Sequence, residues 1–454
     1  MSPRQRESLR NETKEMFYFA FNNYMNRAYP LDELKPLNCT GRGRDRKHPE
    51  NHDNDVLGDY MLTLVDTLDT LVVMNDKATF AAAVQAVAEQ LKLNQDSRVQ
   101  VFETTIRVLG GLLSAHLLAT DPRMGFQLAG YRNELLSLAY ELGLRLMPAF
   151  EASPTGIPYS RVNLAYGLPP DELTNNCPAG AGSLILEFGM LSRLTGDPQF
   201  ERAANRALDA LWQRRSPLGL VSTDIDVVLG MWQNRVFTVG AGIDSYLEYL
   251  LKAEILFDDP AYGDMFEELY RAMMLHVRDT QGYLYLWIDM YSRAIVSQFV
   301  DSLGAFLPGL QVLAGDVDNA IRGHLVYYHI WRKYNMLPER YDFHLRQPAM
   351  AQYPLRPEFI ESTYFLYRAT KNPFYLEVGE MVLRDLQRYA RVSCGFTSIE
   401  NVETKKHANR MESFFLSETL KYLYLLFDED NIINHSDVNF VFTTGKSAHL
   451  SNPT

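Results

Sequence analysis

The chain reads as a succession of paired helices. Stretches with apolar residues at i, i+3/i+4 and i+7 run into a short polar turn, and a second stretch of the same period follows. Leu184-Ile-Leu-Glu-Phe-Gly-Met-Leu191, Tyr246-Leu-Glu-Tyr-Leu-Leu251 and Phe359-Ile-Glu-Ser-Thr-Tyr-Phe-Leu-Tyr367 show the stripe clearly. The turns are marked by Asn75, Asp121, Asp197, Asp258, Asp316, Asn372 and Asp428, and the last four intervals between markers lie between 56 and 61 residues. Asp or Asn followed by Pro is helix stop-and-restart chemistry: the polar side chain caps the new helix and the proline enters its first turn. Strand-like alternation is confined to Gly282–Trp287, Cys394–Ile399 and Val438–Phe442. Seven such hairpins cannot each bury an apolar face alone. An open solenoid or a closed ring would bury them. Closure is favoured because the terminal units lack polar caps. No linker or low-complexity tract divides residues 1–454, which predicts one all-α domain built as a toroid of seven helical hairpins.

Composition narrows the functional classes. The chain is 46% hydrophobic and 22% charged, an ordinary globular balance. Its net charge of −12, without a sizeable basic stretch, argues against nucleic acid as a partner. No apolar run is read as long enough to span a bilayer. The segment Met1–Glu12 has no apolar h-region, so no signal peptide is expected there. Sequons place candidate glycosylation at Asn11, Asn38 and Asn434 and tilt the reading toward a secretory compartment. Cys39, Cys177 and Cys394 allow three single pairings with one thiol left over, and none has zinc-ligand spacing.

The chemistry lies in acids at matched positions of the hairpins. Aligning the first helices on their turn markers places Glu103, Asp244, Asp301, Glu358 and Glu418 near the N-terminal turns of otherwise apolar helices. In a closed ring these would converge on one mouth. Each alone is explained by the helix dipole. Several together, in equivalent register, require pairing, a metal or a catalytic use, because burying charge is costly. Arg107, four residues after Glu103, is a natural partner. Neither a supported Ser or Cys nucleophile nor a phosphate loop nor an HExxH motif is present. A ring of carboxylates suits glycoside hydrolysis, in which one carboxylic acid protonates the leaving oxygen and one carboxylate activates water or attacks.

At these residues the sequence resembles glycoside hydrolase family 47, the class I α-1,2-mannosidases. The resemblance rests on five ordered segments: Val101–Ala115, Asp244–Lys252, Leu355–Ser362, Met411–Tyr422 and Val441–Thr444. The variants Asn38–Asp45, Gly240–Asp244 and Asp301–Leu310 resemble the ER degradation-enhancing α-mannosidase-like branch. The resemblance implies an (α/α)7 barrel and an inverting, Ca2+-dependent hydrolase that trims α-1,2-linked mannose from the N-glycans of misfolded glycoproteins. Carried over by position, Glu103 and Asp244 are the general-acid candidates and Glu358 the base. Thr444 holds Ca2+ through its carbonyl and hydroxyl. Phe414 stacks on the sugar, and Arg107, Asp301, Glu361 and Glu418 bind substrate or metal-bound water.

The chain also departs from relatives that trim free glycans, which have Arg at the position of Gly242, His at that of Ser302 and Glu at that of Gly445. The alternative reading is a lectin-like adaptor that binds glycoproteins with little turnover. The branch further implies the lumen of the endoplasmic reticulum, a protein disulfide isomerase partner, and a Cys39–Cys394 disulfide that leaves Cys177 over.

Overall fold

A computed structural model describes residues 1–435, 440–445 and 447–450. Seven inner helical segments line the ring: Leu62–Asp66 with Leu68–Val73, Val101–Thr120, Ile185–Thr195, Asp244–Phe257, Ser302–Leu313, Glu358–Thr370 and Leu420–Phe427. Six outer helices return against them, at Lys77–Gln90, Glu134–Leu146, Gln199–Trp212, Pro260–His276, Val317–Tyr334 and Phe374–Tyr389. The seventh outer helix comes from the other end of the chain. Pro3–Arg27 packs on Leu420–Phe427 and closes the ring. The reading of a seventh hairpin continuous through the Asp428 turn is therefore corrected. Among the described residues beyond that turn lie the short helix Ile432–His435 and a hairpin of strands Phe440–Phe442 and Ala448–Leu450. The architecture is the expected (α/α)7 barrel.

Among the turn markers, Asp316 caps its outer helix by accepting from the Asn319 N–H, whereas at Asn75 and Asp258 the next residue, Asp76 or Asp259, caps instead, accepting from the Thr79 and Ala261 N–H groups. Asp197 and Asn372 accept from the N–H groups of Gln199 and Phe374. The two helix layers differ as their composition demands. Every residue from Ile185 to Ser192 is buried, as an inner wall packed on both sides requires, whereas Gln199–Trp212 buries only one stripe. Backbones meet closely where side chains permit it: a Cβ on Gly111 would lie 2.6 Å from the Val65 carbonyl oxygen, so only glycine fits between the first two inner helices.

Short strands are more numerous than the sequence suggested, but each sheet holds only two or three. They lie in connections between the helices. The strand expected over Gly282–Trp287 is displaced and runs over Trp287–Asp289.

The helix Val101–Thr120 overturns the reading that no apolar run reaches membrane length. It is long and apolar enough, and 83% of its apolar window is buried inside the barrel, where a core helix meets the same demand as a membrane span. Cys39 and Cys394 are joined across 355 residues of sequence, with Cα atoms 5.5 Å apart. The bond ties the hairpin Glu33–Lys35/Thr40–Arg42 to the one that turns between Val392 and Gly395. Cys177 is free. Replacing Cys39 and Cys394 by Ala should lower unfolding free energy by about 2–4 kcal/mol, the usual worth of a bond closing a long loop, as measured by urea denaturation under oxidising conditions.

Candidate active site

The inner helices begin at the same end of the ring, so residues at their N-termini share one mouth. Glu103 lies in the first turn of Val101–Thr120, and Asp244 and Glu358 open their helices. Local sequence sets each start. Gly240 and Gly242 let the chain fold sharply before Asp244; Gly242 has φ +93°, and the Asp244 N–H donates to the Gly240 carbonyl. Pro357 caps the helix that Glu358 begins. Glu103, Asp244 and Glu358 are all partly exposed, although the ring surrounds them, so they line an internal cleft.

Arg107 gathers charges from three inner segments. Its Nε donates to Glu103 at 2.8 Å, its Nη1 to Glu418 at 3.4 Å, and Nη1 stands 4.0 Å from Asp66. Burial works against this guanidinium's charge, but Glu103, Asp66, Glu418 and Glu412 outweigh it and hold it protonated. Both Arg107 and Glu418 sit on π-helical turns, Thr104–Leu109 and Phe415–Thr419. Such a turn inserts one residue into the helical ladder and redirects the side chains around it. Phe414 precedes the second π-turn, and the Arg107 guanidinium lies 5.2 Å from its ring centroid.

Across the mouth, burial raises the Asp244 carboxyl to about 7. The Ser245 N–H and Arg356 oppose this shift, while Glu248 and Asp301 add to it. Arg356 makes a bidentate pair with Glu339, 2.6 Å on each arm, and lies 5.8 Å from the Phe414 centroid. Glu412 is enclosed beside Arg410, and burial lifts its carboxyl above the ordinary range. Asp301 ends the strand Phe299–Asp301 directly opposite Arg340, which it binds at 2.6 Å. Its carboxylate is thus turned sideways into an ion pair at the cleft wall.

One helical turn below lies a second tier of acids: Glu187, Glu248, Glu361 and Glu418, all buried. Glu418 therefore sits deeper than the mouth on which it was expected to converge, in the tier of Glu187 and Glu248 with which it shares register. Burial pushes Glu187 to about 8, against a 2.8 Å bond from the Tyr249 hydroxyl. Glu361 accepts from Tyr422 at 3.4 Å, and Glu248 pairs with Lys252. The hairpin Phe440–Phe442/Ala448–Leu450 brings Thr444 to this tier, where its N–H donates to the Tyr249 hydroxyl at 3.3 Å. Among the described residues no cluster of three His, Cys, Asp or Glu side chains could hold a metal by itself. The donor set nonetheless fits a hard divalent cation. The Tyr249 hydroxyl that meets Thr444 also binds the buried Glu187, and the Thr444 carbonyl and hydroxyl would be direct oxygen ligands with water completing the shell.

Sequence reasoning missed Arg356, Glu339, Glu412, Glu187 and Glu248 as parts of the site. Arg356 was the most findable, two residues before Glu358; Glu187 and Glu248 shared the register that singled out Glu418. Of the sequons, Asn11 and Asn38 are exposed. Asn434 corrects the expectation: it is 8% exposed, and its amide donates to the Leu425 and Asp428 carbonyls, so a glycan there has no room; Ser436 lies outside the described residues.

The fold agrees with known proteins. The Trichoderma reesei α-1,2-mannosidase structure superposes with a TM-score of 0.87 and 25% identity, covering 98% of this chain and 99% of that one. The Schizosaccharomyces pombe ER degradation-enhancing alpha-mannosidase-like protein 1 is 49% identical over 96% of this chain, and human ER degradation-enhancing alpha-mannosidase-like protein 3 is 45% identical over 99%. The chain spans only 55% and 48% of the lengths of these two relatives. An Arabidopsis thaliana protein, alpha-mannosidase I MNS4, is 47% identical over 98% of this chain and 70% of its own length. The family model for glycosyl hydrolase family 47 matches residues 16–450, and the chain belongs to that family.

Proposed function

We propose that the chain is an inverting, Ca2+-dependent α-1,2-mannosidase that trims high-mannose N-glycans on misfolded glycoproteins in the lumen of the endoplasmic reticulum. The observation that carries this reading is the convergence of Glu103, Asp244 and Glu358 on one enclosed mouth above a tier of buried acids. The names of the relatives support the mannosidase chemistry and the compartment. The Cys39–Cys394 bond suits an oxidising setting.

In the mechanism this reading implies, the Glu358 carboxylate takes a proton from a water as the water oxygen attacks the anomeric carbon. The bond to the leaving oxygen breaks, and that oxygen receives a proton from the acid. Asp244, raised to about 7, carries a transferable proton near neutral pH. Glu103, held by Arg107, faces the same mouth and delivers the proton directly or through water in the alternative assignment. Phe414 supplies a flat apolar face for the sugar ring, with Arg107 and Arg356 beside it. Glu361 and Glu418 would hold sugar hydroxyls or water, and Asp301 fixes the cleft wall through Arg340. A Ca2+ bound at Thr444 would orient the attacking water and the vicinal hydroxyls of the sugar.

The complete set of three carboxylates favours the enzyme over the lectin-like adaptor. The departure at Gly445 is steric as well as chemical: a Cβ there would lie 2.3 Å from the Ile106 carbonyl oxygen, so the hairpin as packed has no room for glutamate. We include a protein disulfide isomerase as partner, with Cys177 as the spare thiol. As packed, that thiol accepts from the Gly180 N–H, and burial pushes it up to about 12.

Glu358→Gln should lower turnover of a Man9 glycoprotein by about 10²–10⁴-fold, the usual worth of a general base, with hexose loss followed by mass spectrometry. Retained turnover would remove Glu358 from its role, and proton NMR of the released sugar should show the β-anomer first.

Chelation should abolish turnover and lower the melting temperature, and millimolar Ca2+ should restore both. The pH dependence of the chelated protein follows from the raised acids. Asp244 moves from 3.8 to about 7 and Glu187 from 4.5 to about 8 on folding, so their stabilising contribution is complete below about pH 4 and is lost as pH rises to about 8. Differential scanning fluorimetry of chelated protein should therefore give a lower melting temperature at pH 8 than at pH 5.5. The gap should narrow with Ca2+.

A further inference from the structure

Two dipeptides on neighbouring elements meet pairwise at the edge of the mouth. Asp301 binds Arg340, and the residues next to each, Ser302 and Glu339, bind each other. The Ser302 backbone N–H donates to the Glu339 carbonyl at 2.9 Å, and its hydroxyl donates to Glu339 Oε2 at 2.6 Å. The Glu339 N–H in turn donates to Gln352 at 2.8 Å, so this residue is held through both backbone and side chain. Its carboxylate receives Arg356 on both oxygens, and although burial opposes ionisation, Arg356 and Ser302 keep it a carboxylate.

We propose that Ser302 and Glu339 form a clamp that positions Arg356 against Phe414 and beside Glu358. A bidentate carboxylate–guanidinium pair fixes the plane of the guanidinium as well as its position. A free Arg356 would have several rotamers, and only some would lie against the ring that the sugar is expected to cover. The clamp also fixes a charge. Arg356 faces Glu339, Glu358 and Glu412, and Asp244 faces Arg356, Glu248 and Asp301. Arg356 acts on both members of the acid–base pair. Ser302 is thus a positioning residue in the place where relatives that trim free glycans carry histidine.

This inference rests on Asp244 and Glu358 being the acid and base, and the experiment separates the two ideas. The pH profile of kcat/KM on a Man9 glycoprotein is compared for the wild type, Glu339→Gln, Glu339→Asp and Ser302→Ala. Arg356 lowers the pKa of Asp244 and favours ionised Glu358, so loosening it raises both. Glu339→Gln should cut kcat/KM by roughly tenfold or more, as a small misplacement of a positioned group does, and should shift both limbs of the profile to higher pH. Glu339→Asp, which keeps the charge, should recover part of the rate and the wild-type limbs. Ser302→Ala should shift the limbs in the same direction, less far, in a protein that still folds. A merely structural Glu339 would lower the amount of active protein and leave the limbs in place, and that result would overturn the clamp. If Glu339→Gln does not fold, Ser302→Ala decides alone, and wild-type limbs there overturn the proposal. Retained turnover in Glu358→Gln sinks the acid–base reading instead, whatever the clamp variants do.

Discussion

The Arg107 guanidinium is the charge around which the cleft is organised. Glu103, Glu418 and Asp66 approach it from separate inner segments, and Phe414 lies beside it. Carboxylates in such number do not remain buried without a cation, because desolvating each costs several kcal/mol unless it is paired. Arg107 supplies that cation from a π-turn, where an extra residue in the helix displaces its side chain from the regular ladder. The second π-turn, at Glu418, faces it from the last inner helix. Two irregular turns in otherwise regular core helices therefore allow the mouth and the deeper tier to share one guanidinium.

Closure of the ring makes this convergence possible. An open array of hairpins would spread the N-terminal acids along a groove; a closed one aims them at a common axis. The chain achieves closure by returning its last inner helix against its first helix, a contact between residues about 400 positions apart that no local signal specifies. The Cys39–Cys394 bond lies at the same seam. Arg410, near the second cysteine, binds Glu33, Asp53 and Glu412, so the seam and the mouth share a charge network.

The repeated architecture was legible because it is local. Asp76, Asp197, Asp316 and Asn372 cap helices through atoms a few residues away, and the apolar stripes between them have the helical period. Acids counted back from those markers were legible for the same reason. What could not be read depends on distant chain or backbone irregularity. Glu418 stands ten residues before its marker, in register with Glu187 and Glu248, and the structure puts it in their tier rather than with the mouth acids it was grouped with. Asn434 satisfies a sequon, but its amide is spent on carbonyls within the same turn. Glu339 lies far from any turn marker, and only the strand pairing of Asp301 with Arg340 brings it to the cleft.

The hairpin that carries Thr444 extends the same logic to the floor of the barrel. Gly445 stands where any side chain would strike the Ile106 carbonyl, and Gly110 stands where a Cβ would lie 2.9 Å from Ser447 Oγ. Ile106 belongs to the π-turn that holds Arg107. The hairpin tip and the π-turn are therefore in contact at backbone level, with glycine on both sides, and neither can shift without the other. The oxygens offered by Thr444 and the guanidinium that anchors Glu103 are in this way held in one rigid unit. Such a unit gives whatever is bound between Thr444 and Arg107 a fixed frame to meet.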